Sequence, residues 1–208
     1  MKIISHKFLS ADDVCDLTVK NWSRAYEYPL VLSRIKEILT GTNEVYPMIH
    51  NTACGGMYPV HRCFIHELIN IDLGFEVVNS DLWPIEQISG WGLNPYQINY
   101  RKYDINTRWR DLKFDVVLCI STLEHLKPEN VKSSFHNLYD QLNPCGRLII
   151  TYEYADVDPE IMKNLIGCWP DSATNPLTKK TSKVRSGSGG VNDTMIAYLE
   201  VGKEDWYV

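Results

Sequence analysis

A nearly continuous apolar run in the middle of the chain constrains the fold most. Residues 114–121 read Phe-Asp-Val-Val-Leu-Cys-Ile-Ser, with a single charged side chain. A strand of this composition suits the centre of a parallel sheet, where both faces are buried. Parallel neighbours need long crossover connections, which are usually helices. The run therefore predicts an α/β protein whose sheet carries helices on both faces.

Shorter apolar runs alternate with helical patterns on either side of this strand. We expect further strands at 45–51, 75–78, 98–103, 147–152 and 194–201. We expect helices at 60–71 and 129–142, and another that opens at Asp158. Residues 143–146 and 186–190, which are rich in glycine, proline and small polar residues, read as turns. The alternation predicts an open, doubly wound and mostly parallel sheet, in which ligands bind beyond the carboxyl ends of the strands.

The first 40 residues carry a helical pattern. Ser10 precedes Ala-Asp-Asp as a helix cap would, and apolar residues recur at roughly helical spacing from Leu30 to Leu39, before Gly41. We therefore expect residues 1–43 to be a helical segment that packs on a domain formed by residues 44–208. The aromatic run at 22–28 has a second interpretation, as part of the wall of a ligand site.

Composition restricts the classes of function. The chain has 208 residues, of which 44% are hydrophobic, and this is enough for one sizeable core. Its formal net charge of −5 disfavours nucleic acid as the main partner. No stretch reaches the ~20 apolar residues of a membrane span, and the amino-terminal residues lack the apolar core of a signal peptide. Six cysteines without a Cys-x-x-Cys pair fit reduced thiols, so we expect a cytoplasmic protein.

Small and acidic residues stand where the predicted strands end. Residues 51–56, Asn-Thr-Ala-Cys-Gly-Gly, join a strand to a helix, and small residues there let a ligand approach the backbone. Asp81 follows the next strand, and Asp104 follows the one after it. Carboxylates at these points can accept hydrogen bonds from ribose hydroxyls or an adenine amino group. For either acid alone, a loop or capping role is the alternative.

Two longer stretches carry a family resemblance. Residues 114–126 read Phe-Asp-Val-Val-Leu-Cys-Ile-Ser-Thr-Leu-Glu-His-Leu, and residues 142–150 read Leu-Asn-Pro-Cys-Gly-Arg-Leu-Ile-Ile. They resemble the fourth-strand motif of the class I S-adenosylmethionine-dependent methyltransferases and that family's turn into the fifth strand. The closing strand fits the family's final antiparallel hairpin. The resemblance spans residues 44–201 and implies a Rossmann-like fold with seven strands, the last of them antiparallel.

The family's first motif, an acid followed by spaced glycines, is altered here. The aligned positions are Asn51, Ala53, Gly55 and Met57, so an amide stands for the acid and only the central glycine is kept. The resemblance implies that Asn51, Ala53 and Gly55 line the methionine end of the cofactor, S-adenosylmethionine. Because Asn51 brings no negative charge, the motif also supports an alternative, a non-catalytic binding module that has lost or weakened cofactor binding.

The resemblance assigns further roles by position. Asp81 would hold the ribose hydroxyls, Asp104 would meet the adenine amino group, and Ile105 would pack on the ring. Cys119 would lie near the reacting sulfonium. His125 follows on the loop and is the candidate general base, because a hydroxyl acceptor must lose its proton. We therefore expect a methyltransferase that acts on a small-molecule or glycan-type acceptor, with O-methylation as the first hypothesis.

Three other interpretations compete with this one. A nicotinamide-binding oxidoreductase disagrees with the absence of a Gly-x-Gly-x-x-Gly run after the first of the alternating strands. A cluster of histidines and cysteines at 50, 54, 61, 63 and 66 lacks any standard zinc-site spacing, so no metal is expected. The lysines and arginine at 179–185 form either a solvated loop or a patch for an anionic acceptor. The sequence leaves the oligomeric state open.

Overall fold

A computed structural model describes residues 1–9, 24–41, 46–71, 75–110, 112–154, 156–167 and 196–204. In these residues the strands are β1 (Lys2–Phe8), β2 (Met48–Thr52), β3 (Glu76–Asp81), β4 (Tyr100–Lys102), β5 (Phe114–Ile120), β6 (Leu142–Glu153) and β7 (Ile196–Gly202). The helices are α1 (Arg24–Thr40), α2 (Pro59–Ile69), α3 (Ile85–Gly90), α4 (Pro128–Asp140) and α5 (Pro159–Ile166). One turn of 3-10 helix, Leu123–His125, follows β5.

All seven strands belong to one sheet, in the order β1-β7-β6-β5-β2-β3-β4. The pairs among β2 to β6 are parallel, whereas β7 runs antiparallel to both of its neighbours, β6 and β1. Six strands therefore share one direction and β7 opposes them. The expected fold class, a mostly parallel seven-stranded sheet with an antiparallel last strand, is confirmed.

The central strand β5 sends its side chains alternately into two cores. Val117 and Cys119 pack in the core that includes residues of α4 and α5, and Val116 and Leu118 pack in the core that includes residues of α1 and α2. All four are fully buried. Successive residues of a strand face opposite sides of the sheet, so a strand covered on both sides is apolar throughout. This is the physical reason for the apolar run at 114–121.

The helical expectation for the first 40 residues is wrong for residues 2–8. These residues form β1, which pairs with β7 from Lys2–Gly202 to Phe8–Ala197 and takes the outer position beside it. β1 is therefore the outer partner of β7, where the resemblance implied a hairpin. The helix expected before Gly41 is confirmed as α1. The cap proposed at Ser10 lies outside the described residues.

The turn expected at residues 143–146 is instead part of β6. The pairing of β6 with β5 shifts register between Phe114 and Val116, and Cys145 adopts φ +60°. A Cβ at Gly146 would lie 2.9 Å from the Asn143 carbonyl oxygen and 3.1 Å from that of Phe114, so this position needs glycine. The turn-forming residues thus produce an irregularity within a strand and do not end it.

Other boundaries agree more closely. Asp158 caps α5, where its Oδ1 accepts a hydrogen bond from the Glu160 N–H at 2.9 Å. The strand expected at 98–103 is shorter, because β4 has only three residues. The turn expected at 186–190 and the basic run at 179–185 lie outside the described residues. No helix in the described part of the chain is long and apolar enough to cross a membrane.

An ion pair fixes α1 against the sheet. Glu200 of β7 is 1% exposed. Arg34 of α1 donates from Nε at 2.8 Å and from Nη2 at 3.0 Å to the two carboxylate oxygens of Glu200. The Tyr198 hydroxyl donates to the same carboxylate at 2.9 Å. A buried carboxylate is stable only when it is paired in this way, and the guanidinium fork fixes direction as well as distance. The position of α1 on the sheet is therefore well defined.

Candidate active site

A cavity of about 350 Å³ opens at the carboxyl ends of the parallel strands. This is the position at which doubly wound sheets bind ligands. Its lining comes from the loops that follow β2, β3, β4 and β5 and from the adjoining helices, and comprises Tyr28, Ala53, Cys54, Gly55, Met57, Tyr58, His61, Asp81, Leu82, Trp83, Trp91, Tyr103, Asp104, Ile105, Asn106, Ile120, Ser121, Thr122, His125 and Leu126.

Most of the residues that the sequence singled out meet in this cavity. The lining includes Ala53, Gly55, Asp81, Asp104, Ile105 and His125. These residues lie at or after the carboxyl ends of four strands, β2 to β5, so the sheet topology brings them together. Asn51 and Cys119 are not among the lining residues.

Asn51 and Cys119 are both buried in the protein. The Asn51 amide donates from Nδ2 to the Asn79 Oδ1 at 2.8 Å, a bond that a carboxylate at this position could not donate. Cys119 is fully buried in the core that includes residues of α4, and burial raises the pKa of its thiol to about 12. The roles that the resemblance implies for these two residues stay predictions, and neither residue is among those that line the cavity.

The loop after β2 adopts conformations that favour glycine. Ala53, Gly55 and Gly56 have φ values of +48°, +66° and +132°. A Cβ at Gly55 would lie 2.5 Å from the His61 Nδ1, and one at Gly56 would lie 2.9 Å from the Leu93 Cδ1. Both glycines are therefore required by conformation and by contact. Ala53, at a position where the family has glycine, holds the left-handed conformation at a cost of about 1 kcal/mol.

Replacing Gly55 by alanine is expected to lower the free energy of unfolding by about 2 kcal/mol, because the new methyl meets His61 and the backbone is in the left-handed region. The matched control is Ala53→Gly in the same loop, which relieves strain and is expected to raise that free energy by up to about 1 kcal/mol. Urea denaturation measures both. A Gly55→Ala protein as stable as the wild type would contradict this account of the loop.

Asp81, the last residue of β3, ties the same loop to the neighbouring strand. Its Oδ2 accepts a hydrogen bond from the Gly55 N–H at 2.7 Å, and its Oδ1 accepts one from the Leu82 N–H at 2.7 Å. Burial raises the pKa of the Asp81 carboxyl above its usual value, and these backbone donors partly oppose the shift. The carboxyl group therefore organises the loop while it also lines the cavity.

The loop after β4 is held by polar side chains of α4. The Asp104 Oδ1 accepts from the Asn106 backbone N–H at 2.8 Å and from its Nδ2 at 2.9 Å. Ser134 donates to the Asn106 Oδ1 at 2.7 Å, and the Asn137 Nδ2 donates to the Ile105 carbonyl at 3.1 Å. Sequence reasoning missed Ser134 and Asn137. Their spacing of three along a helix, which places them on one face, was the available signal.

A buried chain of hydrogen bonds runs from β3 to the wall of the cavity. The Ser80 hydroxyl bonds His50 Nε2 at 2.7 Å, and His50 Nδ1 bonds the Gln141 Oε1 at 2.5 Å. Gln141 donates to the Tyr103 hydroxyl at 2.9 Å, which donates to the Thr107 carbonyl at 2.8 Å. Because the Gln141 amide oxygen can only accept, Nδ1 of His50 carries the proton. The chain thereby positions Tyr103, which lines the cavity.

The histidines and cysteines at positions 50, 54, 61, 63 and 66 do not converge. In the ranges that the structure describes, no group of three or more His, Cys, Asp or Glu side chains could hold a metal ion. His50 belongs to the buried chain above, and His61 lies over Gly55. Arg62, which follows His61, donates to the Gly56 and Met57 carbonyls at 2.9 and 3.1 Å. It so supports the loop that contains Gly55 and Gly56, the glycine loop.

His125 closes the 3-10 turn after β5. Its backbone N–H donates to the Thr122 carbonyl at 3.0 Å, which fixes the turn. The side chain is exposed and also lines the cavity, so it is reachable from solvent and from a bound molecule.

The sequence model of a known family matches residues 54–150, and the family is described as a methyltransferase domain. The matched stretch contains the glycine loop, both cavity aspartates and the turn that carries His125. Residues 54–150 have the sequence pattern of a methyltransferase domain, and the chain is a methyltransferase. The resemblance that the sequence motifs carry is thereby confirmed. No curated protein matches the chain.

Solved structures share the fold of this methyltransferase. The N-methyltransferase NodS from Bradyrhizobium japonicum WM9, in complex with S-adenosyl-L-homocysteine, has a TM-score of 0.53 at 11% identity, over 90% of this chain and 94% of that one. The CurJ carbon methyltransferase has a TM-score of 0.58 at 12% identity, over 89% of this chain and 56% of that one. The magnesium protoporphyrin IX methyltransferase from Synechocystis PCC 6803, with bound S-adenosylmethionine, has a TM-score of 0.50 at 15% identity, over 91% of this chain and 87% of that one.

These identities show a shared fold alone. The reactions of these proteins differ, since NodS is named an N-methyltransferase and CurJ a carbon methyltransferase. The acceptor of the present methyltransferase is therefore a question for the residues of its own cavity.

Proposed function

We propose that this methyltransferase transfers the methyl group of S-adenosylmethionine to a small-molecule or glycan-type acceptor, with O-methylation as the leading reaction. The observation that carries the proposal is the convergence of the glycine loop, Asp81, Asp104 and His125 on one cavity of about 350 Å³. That volume is in the range of small-molecule sites. Structures of the same fold with S-adenosylmethionine or S-adenosyl-L-homocysteine bound support this choice of cofactor.

The residues present fit the cofactor's chemistry. In this proposal the Asp81 carboxyl accepts hydrogen bonds from the ribose hydroxyls, and Asp104 accepts them from the adenine amino group. Ile105, which is 5% exposed and lines the cavity, offers an apolar surface to the adenine ring. The backbone of Gly55 gives the methionine end close approach. When bound, S-adenosylmethionine supplies an electrophilic methyl group on a sulfonium.

The role of the chain in methyl transfer is alignment, exclusion of water and removal of one proton. In this proposal His125 takes the proton of an acceptor hydroxyl, since a neutral imidazole is a base near physiological pH. Its place in the cavity lining and its access to solvent support this role, because the proton must afterwards leave the site.

Calorimetric titration with S-adenosyl-L-homocysteine tests the proposal, and we expect one molecule to bind per chain. Asp104→Ala is expected to weaken binding about tenfold, because a hydrogen bond to a charged group is lost. Asp156→Ala is the control, since Asp156 is exposed and is not among the lining residues. Absence of heat and of thermal stabilisation at millimolar ligand would contradict the proposal and favour a non-catalytic module.

A further inference from the structure

A buried acid that the cofactor proposal does not use lies beside the cavity. Glu27 of α1 is 0% exposed. The hydroxyls of Ser121 and Thr151 both donate to its Oε1. Burial of a carboxyl group is unfavourable unless hydrogen bonds compensate, so this arrangement is specific. It joins α1 to the carboxyl ends of β5 and β6, and Arg34, two turns further along α1, fixes the helix to β7.

Ser121 connects this acid to the cavity. It is the first residue after β5 and lines the cavity, as does Tyr28, the neighbour of Glu27. Ser121 has φ +40°, a left-handed conformation that is unfavourable for a residue other than glycine. A strained residue at a cavity wall is a common feature of functional sites. Ser121 thus bonds Glu27 through its hydroxyl and is itself a residue of the cavity wall.

The hydrogen bond to Glu27 sets what Ser121 can recognise. A carboxylate can only accept, so the single hydroxyl proton of Ser121 is directed at Glu27. A molecule in the cavity therefore meets the serine oxygen as an acceptor. It must present an O–H or N–H donor to it.

Aromatic side chains form part of the wall of the cavity that Ser121 lines. Tyr28, Tyr58, Trp83 and Trp91 all line the cavity. Tyr28 stacks on Phe64 at a ring-centroid distance of 4.0 Å, and Trp83 meets Trp91 edge-on at 5.6 Å. These rings offer apolar faces and edges, which pack well on another flat ring.

We propose that Ser121, held by Glu27, determines acceptor specificity: it accepts a hydrogen bond from a hydroxyl or amino substituent on a flat, apolar ring. The inference rests on the proposed function, in which His125 acts at the methylated group. Ser121 therefore binds a second donor substituent of the acceptor. Glu27 acts through Ser121 and is a positioning residue.

Phenol and anisole are matched probes, because anisole carries a methyl group in place of the hydroxyl proton of phenol. NMR titration of the protein, with and without S-adenosyl-L-homocysteine, is expected to show phenol binding at least about fivefold more tightly, although anisole is the more apolar. Ser121→Gly removes the hydroxyl and suits the backbone conformation, and it is expected to abolish the preference. Glu27→Gln should reduce the preference, because the carboxylate no longer fixes the direction of the serine proton.

Ser133→Ala is the control, because Ser133 is exposed on α4 and is not among the lining residues, and it should keep the preference. Equal binding of the two probes to the wild type, no detectable binding of either, or an unchanged preference in Ser121→Gly would overturn the inference. The failure of S-adenosyl-L-homocysteine to bind would instead contradict the proposed function. The probe preference in the protein alone would then still decide the role of Ser121.

Discussion

Replacing His125 by alanine is expected to lower kcat about a hundredfold, because a positioned general base contributes at least that much to proton removal. The dissociation constant of S-adenosyl-L-homocysteine should stay within about twofold of the wild type, since the cofactor proposal gives this side chain no contact. The measurement is release of S-adenosyl-L-homocysteine with an acceptor selected from hydroxyl and amine compounds. Calorimetry on the same protein gives the affinity.

His66→Ala is the matched control, because His66 is exposed on α2 and is not among the cavity-lining residues. It should change neither turnover nor affinity. An equal loss of cofactor affinity and of turnover in His125→Ala would remove His125 from the role of base and give it a binding role. Unchanged turnover would remove it from the mechanism.

Acidification from pH 6.5 to 4 is expected to lower the free energy of unfolding by about 3 kcal/mol through His50 alone. Burial lowers the pKa of His50 from 6.5 to about 4, and the positive charge of Arg101 adds to the shift. In that interval the unfolded chain binds a proton at His50 and the folded chain does not. The contribution of neutral His50 to the free energy of unfolding is therefore fully present above pH 6.5 and is lost as the pH falls towards 4.

Urea denaturation at several pH values measures this slope, with His50→Gln as the control. Asp81 titrates in the opposite sense, because burial raises the pKa of its carboxyl and so favours folding when the group is protonated. The difference between wild type and His50→Gln cancels the contribution of Asp81. Parallel slopes for the two proteins would show that His50 binds a proton equally in the folded and unfolded states.

Much of the fold follows from local patterns. The apolar run at 114–121 predicts a strand covered on both faces, and β5 has that environment. Pro59 opens α2 and Asp158 caps α5, as their local chemistry predicts. The aspartates at the strand ends reach one cavity because parallel strands end at the same edge of a sheet. The spacing of apolar residues, the helix caps and the ends of strands depend on residues close together in the chain, so the sequence predicts them directly.

Other features have no local signature. β1 has a sequence that also fits a helix, and pairing with the distant β7 decides its conformation. Asn51 aligns with a cofactor-binding acid, yet its amide has a partner in Asn79 on β3. Ser134 and Asn137 look like ordinary helix residues until α4 packs on the loop after β4. Tertiary contacts override local preference in each of these cases.

The amino-acid sequence predicts an α/β domain, a resemblance to the class I methyltransferases and most of the strand-end residues that line the cavity. The contacts of Glu27 with Ser121 and Thr151, and the position of β7 between β1 and β6, are visible in the folded molecule alone. The spacing of apolar residues and the residue preferences of turns depend on a few neighbouring residues, so they can be read from a sequence. Contacts between residues far apart in the chain depend on how whole elements pack, and no local pattern specifies which buried acid will face which hydroxyl.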